Sequence, residues 1–558
     1  MFTELGESFL IKIVSSPPSQ PHFSLPILDI VLQCCAHPDY DLPDVTFNLW
    51  YRLSEELYTR NDDTLVAVFK SHVERLIVSL CRHCQMEPDL TGILEEGEDF
   101  TEFRVRVTEL IKDCVFIVGS STVFRQMFSQ LQQTQQWEQT EAALYVMAAV
   151  ARNILPEEET VVPAVLQQVL SLPSSMHLAV RHTAIKLVGE LCEWIERHPD
   201  TLQATLNYLL QGLQDPRLAS EAATALQAVC SQCRSRMAEH FSGLLQILEQ
   251  IDQFNLKPEA ANGLIKGVVM IISIMSQDQL CGAVEKVCML QVTPLNACMD
   301  AASSASPPKI VKHSTSDPVL YLDRLSAVFR HVQPSNGCPP GATAHPCKSV
   351  VEGIWPVLSR SLHLYQDDVR VTERTCRTVR FAIRCIGIQS SSLLEPLVTQ
   401  LVGLYEAKGH SCYLYLGSIL VDEYASEQGC IPGLLAMLQA FISPTYRLLA
   451  PKGSLKEHPD TVDDFFRLNA RFLQRAPMAY LQVKLGKIWI HHYYLLNPPN
   501  KITPFKPLVL FADCVHKIHS GVRPPLLCPG APGCKRISDE ILLRPAARWQ
   551  NAGGQSRF

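Results

Sequence analysis

The chain has 558 residues, 47% of them hydrophobic and only 19% charged, with a formal net charge of −7. That balance excludes a bulk nucleic-acid binder, which carries a basic excess, and the apolar content excludes a disordered polyelectrolyte. The 20 cysteines follow no framework-like spacing and the chain is too long for a disulfide miniprotein, so the thiols read as small hydrophobes of a protein from a reducing compartment.

Residues 1–22 read as a short irregular start, without the basic segment and cleavage site of a signal peptide. From about residue 23 to 475, apolar residues recur with helical period. Helices are expected near 24–36, 43–59, 62–85, 103–117, 138–152, 161–172, 177–196, 201–214 and 218–233. They continue near 240–253, 258–275, 279–301, 318–331, 349–364, 369–388, 393–406, 411–426, 432–443 and 461–475. Short breaks carrying Pro, Asp, Asn or Gly separate many of them. Strand signals are few. Pairs recur at about 40 residues, the period of HEAT-like repeats. The expected fold is therefore all-α, a HEAT-repeat superhelical solenoid of antiparallel helix hairpins over 23–475, each burying its apolar face against the next. Such an array can run this length as one continuous body. The longest apolar stretches, such as residues 264–275, are too short to span a bilayer, and no membrane insertion is expected.

Three stretches interrupt the rhythm. Glu95, Glu96, Glu98 and Asp99 make an acidic loop that reads as solvated. Ser-, Pro- and Gly-rich connectors fill 303–317 and 334–346. After about residue 476 the helical pattern gives way to a Pro-rich tail, 476–558, expected to be disordered. Terminal repeats normally present a polar capping face, and neither end does so; the chain reads as the middle of a longer array with a truncated start and a divergent end.

No G-x-x-x-x-G-K-[ST], H-E-x-x-H, G-x-S-x-G or G-x-G-x-x-G occurs. Cys81 and Cys84 form a lone C-x-x-C, and zinc needs a second pair, so they read as structural. No enzyme, no cofactor and no metal is expected.

One helix stands apart. Arg370, Arg374, Arg377, Arg380 and Arg384 follow spacings of 4, 3, 3 and 4, which places them within roughly 120° of arc. Val371, Val379, Ala382, Ile383 and Ile386 fill the opposite arc, so the helix is amphipathic. Only Glu373 interrupts the stripe, with Arg377 in reach at i, i+4. Such a row of like charges costs stability unless an anion meets it. At roughly 20 Å long, it suits an extended, multiply charged polymer better than a small metabolite.

At this helix a resemblance becomes specific. The run VRVTERTCRTVRFAIRCIG, then LLEPLVTQLVGLY, HSCYLYLGSILVDEY and HPDTVDDFFRLNARFLQR, resembles the importin-β (karyopherin) family of nuclear import receptors, and most closely its transportin-SR branch. Upstream, FNLWYRLSEELY, EFRVRVTELIKDCVF and HFSGLLQILEQID carry the same likeness, over about residues 22–475. The resemblance implies a receptor that carries phosphorylated Arg/Ser-rich (RS) domains of SR splicing factors through the nuclear pore, shuttling between cytoplasm and nucleus. It assigns the five arginines to the phosphoserines. It makes Asp463 and Asp464 a second cargo contact, with Asp422, Glu423, Asp367, Asp368 and Glu373 available to the cargo's own arginines. The small GTPase Ran and the pore's FG repeats are the further partners implied, although the family's N-terminal Ran-binding repeats have no counterpart here. A general helical scaffold for acidic partners is the alternative. RNA binding fits poorly, because the stripe interleaves only Phe381 where single-strand binders present several stacking platforms.

Overall fold

The computed structural model describes residues 1–482 except 40, 96, 305–308 and 334–343. The tail expected to be disordered lies outside the described residues, apart from its first turn and a half. Among the described residues every element is helical and none is a strand. The chain divides into two compact units, Met1–Leu290 with 331–333, and Gln291–Arg330 with the described residues from 344 on. The division falls within a single long helix.

The first unit contains α1 (Phe2–Ser15), α2 (Ile27–Cys35), α3 (Asp41–Arg60), α4 (Asp63–His83), α5 (Asp99–Val118), α6 (Ser120–Gln133), α7 (Trp137–Val150) and α8 (Val161–Leu170). It continues with α9 (Leu178–Glu190), α10 (Cys192–Arg197), α11 (Leu202–Gln214), α12 (Ala219–Gln232), α13 (Arg234–Met237), α14 (Phe241–Glu249), α15 (Pro258–Ile272) and the start of α16 (Gln277–Ala302). Helices α3, α5, α7, α9, α12 and α15 pack side by side as one layer, and each is paired with a helix of a second layer. This is the stacked-hairpin architecture expected from the period. Several hydrogen bonds join equivalent positions of successive hairpins, at separations of 35 to 42 residues. Close approach within the layer needs small residues: a Cβ on Gly189 would stand 2.8 Å from the Ala225 Cα, bringing α9 against α12.

Deep in the first unit, Arg104 donates two 2.8 Å bonds to the Glu141 carboxylate. Thr183 donates a further 2.6 Å bond to it, and the Arg104 guanidinium lies 3.9 Å from the centre of the Tyr145 ring. Arg104 is 3% and Glu141 1% exposed. A buried charge needs such pairing, since either partner alone would be strongly destabilising.

The expected irregular start is instead helix α1, whose Leu10, Ile13 and Val14 are buried. Its buried residues keep helical spacing, but an acidic, polar first turn hid the periodicity. Helix α6 also escaped the sequence reading because Ser and Gln dilute it; Val123, Phe124, Met127 and Leu131 supply its buried face. Cys81 and Cys84 are buried, and burial pushes both thiols up, Cys84 to about 12. That matches a packing role.

The second unit carries the end of α16, then α17 (Pro318–His331), α18 (Lys348–Leu364), α19 (Val369–Ile386), α20 (Leu394–Lys408), α21 (Ser411–Tyr424), α22 (Ile431–Leu449), α23 (Ser454–Glu457), α24 (Pro459–Arg475) and α25 (Pro477–Gln482). Helix α22 runs through Pro444, six residues past the expected end. Helices α18, α20 and α22 form one layer, and α19, α21 and α24 the other. Side-chain bonds place α17 beside α19 in that second layer. No described helix is long and apolar enough to cross a membrane.

Candidate functional site

Helix α19 starts where the Asp368 side chain accepts the Val371 N–H at 3.2 Å, an N-cap that satisfies an otherwise orphaned donor. It ends at Gly387, whose φ of 56° is the left-handed conformation glycine tolerates. Val371, Val379, Ala382, Ile383 and Ile386 are all buried, as the period requires. Three threonines share that face. Thr378 donates to the Leu322 carbonyl at 3.0 Å and pairs with Ser326 on α17. Thr375 pairs with Ser361 on α18 at 3.0 Å, and Thr372 donates to the Tyr365 carbonyl at 2.9 Å. These buried hydroxyls fix the helix in rotation and register, and so aim its arginines.

The five arginines are not equivalent. Arg370 makes a forked contact with Asp317, at 2.9 and 3.0 Å. Burial raises the Asp317 pKa, but Arg370 and the His313 and Val319 N–H groups together outweigh burial and hold the carboxyl low. At the other end, Arg384 donates to Glu423 at 3.0 Å and to Asp422 at 3.2 Å.

The middle of the row is poorly neutralised. Arg374 and Arg377 share one carboxylate, Asp323, at 3.5 and 3.9 Å. Burial raises the Asp323 pKa despite them, and burial followed by neighbouring guanidiniums lowers that of Arg377. The Glu373–Arg377 pair does not form: Glu373 is exposed and lines a groove with His410, His458 and Asp460, and Arg377 turns toward Asp323. Arg380 meets the Tyr415 hydroxyl, and its buried Nε has no hydrogen-bond partner.

Two aromatic rings sit among these charges. Arg380, Arg330 and Arg377 lie 4.3, 5.6 and 5.9 Å from the centre of Phe381. Arg467 and Arg380 lie 5.3 and 5.5 Å from that of Tyr415. Ring faces attract cations and tolerate crowding that carboxylates would otherwise have to relieve.

Helix α24 contributes a second row that the sequence reading missed, Arg467, Arg471 and Arg475, one turn apart. Asp422, only 12% exposed, accepts from Arg475 at 2.7 Å and from Arg384, and lies 3.8 Å from Arg471. Asp422 and Glu423 thus anchor arginines of two helices. Asp463 pairs with Arg467 at 2.6 Å. Asp464 lies 3.9 Å from Arg467, and burial pushes its carboxyl up to about 7. Asp367, at the edge, pairs with Lys408. The i, i+4 spacing of Arg467, Arg471 and Arg475 was legible, but only the fold puts α24 beside α21 and one helix from α19. Seven of these guanidiniums thus pair with six carboxylates, while Arg380 and Arg330 lie against aromatic rings, a local cationic excess on an acidic chain.

Stacked helical hairpins in each unit define the class, a helical-repeat protein. Three stretches match the models described as the Transportin-3/Importin-13 second, third and fourth TPR domains, at residues 1–83, 159–247 and 345–449. Among relatives, transportin MOS14 of Arabidopsis thaliana is 22% identical over 86% of the chain and 51% of that protein. The mRNA transport regulator MTR10 of Saccharomyces cerevisiae is 21% identical over 86% and 50%, and human importin-13 is 19% identical over 83% and 50%. Importin-13 in its cytosolic state superimposes with a TM-score of 0.67 at 16% identity, covering 88% of this chain and 58% of that one. Yeast importin-β (Kap95p) gives 0.59 at 13%, covering 93% and 58%. These matches support a chain of the importin-β (karyopherin) type, and the relatives and fold neighbours are importin and karyopherin transport receptors. It spans about half the length of the curated relatives it matches.

Proposed function

We propose that this chain carries the cargo-binding part of a nuclear import receptor, and that the layer formed by α17, α19, α21 and α24 grips phosphorylated RS repeats of SR splicing factors. The observation that carries this reading is the under-neutralised centre of the row: Arg374, Arg377 and Arg380 have one carboxylate, Asp323, within 4 Å. A phosphoserine brings about −1.5 to −2 charge and three acceptor oxygens, and guanidinium forks take such oxygens two at a time. The peptide's own arginines alternate with its phosphates and meet Asp463 and, once local pairs rearrange, Asp464, Asp422 and Glu423. Arg370 and Arg384 flank the track and are held by their own carboxylates. The likeness to karyopherins adds two further partners to the proposal, Ran and the pore's FG repeats, and residence shared between cytoplasm and nucleus; one structure of a fold neighbour, Kap95p, is of that protein binding RanGDP.

The test is the affinity of the full chain for a phosphorylated RS-repeat peptide, its unphosphorylated form and poly-Glu, with wild type and the variant Arg374→Ala/Arg377→Ala/Arg380→Ala. Phospho-selective binding that the variant loses supports the proposal. Equal binding of poly-Glu and phosphopeptide makes the protein a general scaffold for acidic partners.

A further inference from the structure

A cluster of metal-binding type lies at the far end of α19, outside the arginine row. His345 and Cys347, in the segment entering α18, meet Cys385, the residue after Arg384. One ligand atom from each lies within 4.8 Å of the others, and this is the one such group of His, Cys, Asp or Glu among the described residues. All three belong to the second unit. From this geometry we infer a binding site for a soft divalent ion of the zinc class, held by the His345 ring and the two thiolates, with a fourth position left to water.

The chemistry of the donors fits. Imidazole and thiolate are the ligands zinc takes in protein sites. A tetrahedral ion with bonds of about 2.3 Å to sulfur and 2.0 Å to nitrogen requires ligand atoms about 3.5–3.8 Å apart. The observed limit of 4.8 Å closes to that with side-chain rotation and a small movement of the 344–347 segment. The Nδ1 lone pair of His345 is already turned toward Cys347, whose backbone N–H it accepts at 3.1 Å; the ion competes with that N–H for the lone pair. Binding releases the two thiol protons to solvent and leaves two thiolates and one dication, a neutral unit. The sequence hides the cluster because 38 residues separate Cys347 from Cys385, and neither belongs to a C-x-x-C. A bound ion would pin the segment entering α18 to the end of the arginine helix.

The experiment loads the full chain with Zn²⁺ in a phosphine-reduced buffer, desalts it, and measures retained zinc per chain and competition with a chromophoric chelator. Wild type is compared with His345→Gln, Cys385→Ser and a control, Cys34→Ser, in the other unit. Helix content by circular dichroism accompanies each variant, and His345→Gln keeps both thiols should Cys385→Ser fold poorly. The expected result is one retained zinc in wild type and control, an affinity at least about tenfold weaker in both site variants, and a thiolate-to-metal charge-transfer band with Co²⁺ that Cys385→Ser weakens. Unchanged zinc retention in the folded site variants, or none in wild type, overturns the inference.

Discussion

Arg370 and Arg380 stand about 15 Å apart on one helix and face opposite electrostatic situations. Asp317, buried and hydrogen-bonded from three sides, neutralises Arg370, whereas Arg380 leans on Phe381 and Tyr415 and has an unpartnered Nε. Arg370→Ala should therefore destabilise the protein, by about 2 kcal/mol for a charge-assisted pair, and Arg380→Ala should leave the urea midpoint nearly unchanged. In the first unit, Glu141→Ala strands the buried Arg104 and should cost about 3–5 kcal/mol, read as a lower denaturant midpoint at unchanged slope. Asp464 supplies a pH test. Burial raises its folded-state pKa to about 7, above the unfolded value. The folded state then holds a proton that the unfolded chain has lost, so this contribution to stability is complete below pH 4 and falls as pH rises through 7. Asp464→Asn should raise the melting temperature at pH 8 relative to wild type, and the gain should vanish at pH 4. A gain independent of pH would mean that Asp464 is already ionised across that range.

At the scale of the helix, α19 was the most legible element. Its five arginines and apolar arc fixed its amphipathic faces, and its expected end, residue 388, lies within two residues of Ile386. The buried threonines were invisible as a feature, because hydroxyls read as neutral in a helix until α17 and α18 supply partners. Thr378→Val should cost about 1–2 kcal/mol by orphaning Ser326 and the Leu322 carbonyl, and Asp368→Ala about 1 kcal/mol by removing the cap. Helices α1 and α6 were lost to reading because polar residues dilute a short apolar stripe. The pairing of Arg374 and Arg377 with Asp323, and the row on α24, depend on which helices stack, and local periodicity carries no such information.

Across the molecule, the period near 40 residues correctly gave an all-helical stack of hairpins, but the partition into two units within α16 left no mark on composition. The arginine centre, its aromatics and its carboxylates all lie in the second unit, so the charge excess arises locally on a chain of net charge −7. Its attraction for a phosphopeptide should weaken as salt rises, in proportion to how exposed each pair is. The central claim is that the poorly neutralised arginines at the middle of α19, rather than the whole stripe, make the binding site. The most direct measurement is the affinity of a phosphorylated RS-repeat peptide for wild type, for Arg377→Ala/Arg380→Ala and for Arg370→Ala, each at a temperature where the variant is folded. The account predicts a loss of about tenfold or more for the central pair, the worth of one or two charge-assisted bonds, and less than about threefold for Arg370→Ala. Equal losses at both places, or no loss at the centre, would contradict it.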